Sequence, residues 1–128
     1  MCPLNSPYFM VTYLLPLTPM AFSIKELRLD DGSSPFGEWF SGLDGVAAAK
    51  VRVAVARMEQ GNLSNVQWFR GIGEFRIDWG PGLRIYLAKD GVRVILLLGG
   101  GTKKQQQKDI DLAVDQWEDY KRRKASKG

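Results

Sequence analysis

Between Glu74 and Leu98 the chain contains three strand-length runs separated by two glycine turns, and few folds can use such a segment. Glu74 to Trp79 alternates strictly, with Phe75, Ile77 and Trp79 facing one way and Glu74, Arg76 and Asp78 the other. Gly80-Pro81-Gly82 is a turn, and Leu83 to Ala88 alternates again, with Arg84 and Tyr86 on its polar side. Lys89-Asp90-Gly91 turns the chain once more into Val92 to Leu98, which is nearly all apolar, as a strand covered on both faces should be. The pattern predicts an antiparallel meander whose last strand ends at Gly99-Gly100-Gly101.

The flanking sequence supplies the layers that cover such a sheet. Phe22 to Leu29 mixes apolar and charged residues at strand spacing and runs into the loop Asp30 to Ser34. Pro35 suits a helix start, and Phe36, Trp39, Phe40 and Leu43 fall on one face. Asp44 is positioned to cap a longer alanine-rich helix over Val46 to Gln60, with Val51, Val55 and Met58 on one stripe and Gly61 as its stop. After the meander, Thr102 and Gln105 have capping-box spacing, and Ile110, Ala113, Val114, Trp117 and Tyr120 mark the buried stripe of a last helix. The expected fold is α+β: a helical hairpin packed on a small, mainly antiparallel sheet, in the order β-α-α-β-β-β-α. Lys121 to Lys124 reads as a basic, fraying tail.

Composition narrows the chemistry. The 128 residues carry no histidine and one cysteine, Cys2. That excludes Ser-His-Asp and Cys-His nucleophilic sites, histidine metal sites and an intramolecular disulfide, and no cofactor is expected. The net charge of +4 is unevenly placed: residues 1–49 hold two bases and five acids, and residues 50–128 hold sixteen bases and nine acids, a net of +7. A basic C-terminal portion points to a polyanionic partner, nucleic acid first.

Residues 1–19 read differently, with four prolines and no charge. No base precedes the apolar run Tyr8 to Leu15, so the n-region of a signal peptide is missing, and Pro16 and Pro19 interrupt the run before it could span a membrane. The expected division is an extension over 1–19, one domain over 20–124 opening near Met20, and a tail over 125–128, with no membrane association.

Three segments in order carry a resemblance. Gly71-x-Gly-Glu-x-Arg-Ile, Gly80-Pro-Gly-x-Arg-Ile-Tyr and Leu96-Leu-Leu-Gly-Gly-Gly-Thr-Lys-Lys-x-Gln-x-x-Asp-Ile resemble the RelE/ParE toxin superfamily, and within it the HigB-like addiction module killer branch. The resemblance spans about Phe22 to Lys124. It implies a bacterial, cytoplasmic toxin of a type II toxin–antitoxin system, neutralised by a cognate helix-turn-helix antitoxin. Its implied targets are messenger RNA on the ribosome, cut without a metal, or DNA gyrase for a ParE-type inhibitor. A phage-derived relative without toxicity is a further alternative.

RNA cleavage by attack of a ribose 2′-hydroxyl on the adjacent phosphate needs fixed cations around a phosphorane and groups that move protons. Pairing Trp79 with Leu83 across the turn would set Arg76 opposite Tyr86 and Asp78 opposite Arg84. Lys103 and Lys104, at the start of the last helix, approach the same face. The candidate catalytic set is therefore Arg76, Arg84, Tyr86, Lys103 and Lys104. Arg70, Lys103, Lys104 and Gln106 are the candidate nucleic-acid contacts. Arg76, Arg84 and the lysine pair match the basic positions that the resemblance implies. Asp78 stands where RelE has a second basic residue, and its late tyrosine falls near Ile110. The competing reading makes Arg76, Arg84 and Tyr86 a solvated sheet face and Trp39, Trp68 and Trp117 packing residues.

Overall fold

A computed structural model describes residues 21–127, so the uncharged N-terminal extension and the Met20 start lie outside the described residues. The elements are β1 (Ser23–Glu26), α1 (Pro35–Ser41), α2 (Gly45–Glu59), β2 (Val66–Phe69), β3 (Ile72–Ile77), β4 (Leu83–Lys89), β5 (Val94–Thr102), a single 3-10 turn (Lys103–Gln105) and α3 (Gln106–Lys127). The class is α+β, with a five-stranded mixed sheet in the order β1-β5-β4-β3-β2. Among the described residues, only β1 and β5 run parallel.

Local chemistry explains both helices of the hairpin. Ser34 Oγ accepts the Gly37 N–H at 2.9 Å and Pro35 occupies the first turn of α1. Asp44 Oδ1 accepts the Ala47 N–H at 2.8 Å and so caps α2. Together α1 and α2 cover one face of the sheet, where Phe36, Val51 and Met58 meet Phe75, Ile85, Leu87 and Leu97. The other face is covered by α3, with Ile110, Ala113 and Trp117 on Ile72, Tyr86, Leu96 and Leu98. The sheet is thus sandwiched, and β4 is buried from Leu83 through Ala88 because both its faces are inside.

Several expectations are corrected. The structure adds β2 to the expected elements, a fourth strand on the antiparallel side, making the order β-α-α-β-β-β-β-α. Val66-Gln67-Trp68-Phe69 carries no alternation, and a two-residue turn at Arg70 and Gly71, both at positive φ, folds it onto β3. Trp68 there is an exposed edge residue with Lys89 Nζ 5.2 Å from its ring centroid. The β3–β4 register is also different. Arg76 faces Arg84 and Glu74 faces Tyr86, because the connection runs five residues from Asp78 to Gly82 rather than three. Gly82 N–H donates to Trp79 O at 3.0 Å to close it, with Gly80 and Gly82 both at positive φ.

The triple glycine does not end the last strand. β5 continues through it to Thr102, and a bulge between Tyr86 and Leu87 of β4 sets Gly99 opposite Tyr86. Two of the glycines are steric requirements. A Cβ on Gly100 would enter the ring of Trp39 on the hairpin side, and one on Gly101 would strike the Asp109 carboxylate on the α3 side. The Thr102–Gln105 capping box is not formed, since Thr102 makes no side-chain cap bond and a 3-10 turn intervenes before α3.

Nor does the C-terminal basic run fray within the described residues. α3 is helical through Lys127. Arg123 donates to Asp119 Oδ2 at 2.9 Å and to Arg28 O at 3.0 Å, and Lys124 donates to Asp90 Oδ1 at 2.7 Å beside Tyr120. Burial alone would raise the Asp90 pKa, but the bonds from Lys124 and Tyr120 outweigh it and hold it below the usual carboxylate range. The stabilisation from Asp90 is therefore complete above the unfolded value of ~3.9 and disappears as pH falls through the folded one. Asp90→Asn should flatten the acid limb of a stability-versus-pH curve measured by urea unfolding; an unchanged limb would contradict this assignment.

Candidate functional site

The β3–β4 loop and the start of α3 meet at one end of the sheet. Lys103 N–H donates to Gly82 O at 3.0 Å and to Pro81 O at 3.3 Å, which ties the 3-10 turn to the loop. Between them lies a cleft of about 520 Å³ lined by Arg76, Asp78, Arg84 and Lys103 among others. Three of the five candidate catalytic residues therefore share one cavity.

Beneath the cleft sits a carboxylate that sequence reasoning placed on an open polar face. Glu74 is fully buried. Its Oε1 accepts from Arg76 Nε at 2.9 Å, its Oε2 accepts from Gln106 Nε2 at 2.9 Å, and Arg84 Nε lies 4.0 Å from Oε2. Arg76 and Arg84 are directly opposite in register, an arrangement that like charges disfavour. Glu74 offsets that repulsion: it accepts from Arg76 on the Nε side, which leaves the terminal nitrogens of that guanidinium to face an anion, and its charge lies beside Arg84. Arg84 is itself buried, and its Nε has no hydrogen-bond partner among the described residues. The signal for Glu74 was available only with the correct register, which sets it against Tyr86 and next to the facing arginines.

The other candidates divide. Tyr86 is buried under α3 with its Oη close to Glu74 yet in no hydrogen bond among the described residues, and burial followed by the Glu74 charge pushes its pKa well up. It is a core residue and does not line the cleft that holds Arg76, Arg84 and Lys103. It lines a separate cavity of about 90 Å³ with Asp109, whose carboxyl is also raised by burial and only partly offset by Lys108. Lys104 is exposed but does not line the cleft. Gln106 is committed to Glu74. Arg70 lies at the opposite end of β3, at φ +52, and bonds Asp111 of α3 at 2.8 Å. The solvated-face reading fails for Arg84 and Tyr86 and holds for half of the Arg76 side chain.

No family model matches the sequence. An uncharacterized protein of Haemophilus influenzae is 39% identical over 80 residues, which is 61% of this chain and 81% of that protein. The chain belongs to that protein's family. No solved structure matches. Among the described residues, no helix is long and apolar enough to cross a membrane, and no group of three or more histidine, cysteine, aspartate or glutamate residues is placed to hold a metal ion.

Proposed function

We propose that the chain is a RelE/ParE-type, HigB-like toxin that cuts messenger RNA on the ribosome, with the cleft of Arg76, Arg84 and Lys103 as its phosphate site. The observation that carries this reading is the convergence of three cations on one cavity over a buried carboxylate that hydrogen-bonds one of them and lies 4.0 Å from a second. In it, the guanidiniums and the Lys103 ammonium surround the scissile phosphate and stabilise the extra charge of the phosphorane. The 2′-oxygen forms a bond to phosphorus while the bond to the 5′-oxygen breaks, leaving a 2′,3′-cyclic phosphate and a 5′-hydroxyl. Asp78, the carboxylate lining the cleft, takes the 2′-hydroxyl proton, and Lys103 gives one to the departing oxygen. Where RelE has a second basic residue, this chain thus has a base of another kind. A bacterial cytoplasm and a helix-turn-helix antitoxin belong to the same proposal.

Induced expression in a bacterial host, with growth and transcript ends followed together, tests it. Wild type should arrest growth and cut transcripts inside reading frames. Arg76→Ala and Lys103→Ala alter exposed side chains; each should slow cleavage by about 100-fold or more, the usual effect of removing one transition-state donor. Intact transcripts with induction of the DNA-damage response would instead favour gyrase inhibition and overturn the nuclease reading.

A further inference from the structure

A second cleft, of about 480 Å³, adjoins the first. The two share Arg76, Ile77 and Asp78 as a common wall. Its far side is α2, which contributes Lys50 and Arg57, and its floor includes the half-buried Trp79. Lys50 and Arg57 are seven residues apart, so they lie about 10.5 Å apart along one helix face. Neither makes an ion pair among the described residues. Two unpaired cations would leave α2 with surplus positive charge beside an aromatic floor, a combination that suits single-stranded nucleic acid. The volume falls within the usual range of about 300–1,000 Å³ for a ligand site.

We propose that this second cleft binds the nucleotide on the 5′ side of the scissile phosphate, together with the phosphate upstream of it. The proposal rests on the phosphate-site reading of the first cleft. Asp78 stands at the junction, where its charge repels a phosphate and its oxygens accept from a ribose hydroxyl. With that ribose at Asp78 and its 3′-phosphate among Arg76, Arg84 and Lys103, the attached base enters the second cleft and stacks on Trp79. Lys50 and Arg57 then meet the next phosphate upstream. The bound RNA crosses the end of β3, from the hairpin layer to the α3 layer.

Binding of a fluorescent single-stranded oligoribonucleotide to the full chain, followed by anisotropy over a range of salt, tests the proposal. Lys50→Gln combined with Arg57→Gln should lower the slope of log K against log salt by about 0.7, the contribution of the one upstream phosphate they meet. The same pair should leave affinity for a dinucleotide unchanged. Trp79→Ala should weaken the longer oligonucleotide by roughly 5- to 150-fold, the range for one lost stacking contact, and Trp79→Phe should restore most of it. Since Trp79 also packs on the core, the exposed Lys50 and Arg57 pair keeps the test decisive if Trp79→Ala unfolds. Wild-type slope and affinity in the α2 pair, alongside weakened binding by Arg76→Ala, would overturn the second cleft alone. Loss of binding to a protein partner with RNA affinity intact would do the same. No RNA binding by wild type, or none lost in Arg76→Ala, would overturn the phosphate site itself.

Discussion

Glu74→Ala should lower folding stability by about 3–5 kcal/mol, the effect of removing one partner from a buried charge pair. The carboxylate is fully buried and accepts hydrogen bonds from Arg76 and Gln106, with the buried Arg84 beside it. Without it, two arginines paired across β3 and β4 face each other with no compensating charge, and Gln106 loses its acceptor. At roughly 4 °C per kcal/mol for a domain of this size, the melting temperature should fall by about 12–20 °C. Glu74→Gln keeps the shape and an acceptor oxygen, so its loss should be smaller. A combined Glu74→Leu and Arg84→Met variant should recover much of the stability, since replacing a buried pair by apolar groups is often neutral. A Glu74→Ala protein unfolding within ~1 kcal/mol of wild type would show that Glu74 does not organise the arginines.

Gly100→Ala should cost about 1–3 kcal/mol, as overpacking does, while Gly99→Ala should be close to neutral. The two glycines are neighbours in β5, but a Cβ at Gly99 meets nothing within 4 Å whereas one at Gly100 enters the Trp39 ring. Trp39 has little freedom to retreat, because it packs against Phe36 with centroids 5.8 Å apart. Combining Gly100→Ala with Trp39→Leu should therefore be less destabilising than the sum of the two single changes. Denaturant midpoints for the four proteins settle the matter: equal stability of Gly99→Ala and Gly100→Ala would refute the steric account.

Those two positions also mark where sequence reading stopped. Strand alternation at Phe75 and Ile77, the Pro35 helix start and the Asp44 cap were legible because each depends on residues within one turn or one pleat. The β3–β4 register was not, because a loop holding two glycines and a proline closes at more than one length, and each choice sets Arg76 against a different partner. β2 escaped because a four-residue edge strand buried only at Val66 has no periodicity to detect. The glycines after Leu98 resemble a terminator until Trp39 and Asp109, 61 residues before Gly100 and eight after Gly101, are known to press on them. For the site, Arg76, Arg84 and Lys103 were identifiable by type and spacing, whereas the burial of Tyr86 and Glu74 depended on α3 covering that face.

The parallel pairing of β1 with β5 has a kinetic consequence. Ser23 pairs with Val94, 71 positions later in the chain, so the first strand has no neighbour in the sheet until the last one has been made. The hairpin of helices and the β2–β3–β4 meander can assemble from nearby sequence, but the sheet closes only through this distant contact, the slowest kind to form. During synthesis from the N-terminus, β5 and α3 emerge after the other described strands and α-helices. The same late segment brings Lys103 to the cleft, so the nascent chain completes that cleft only after β5 has been made.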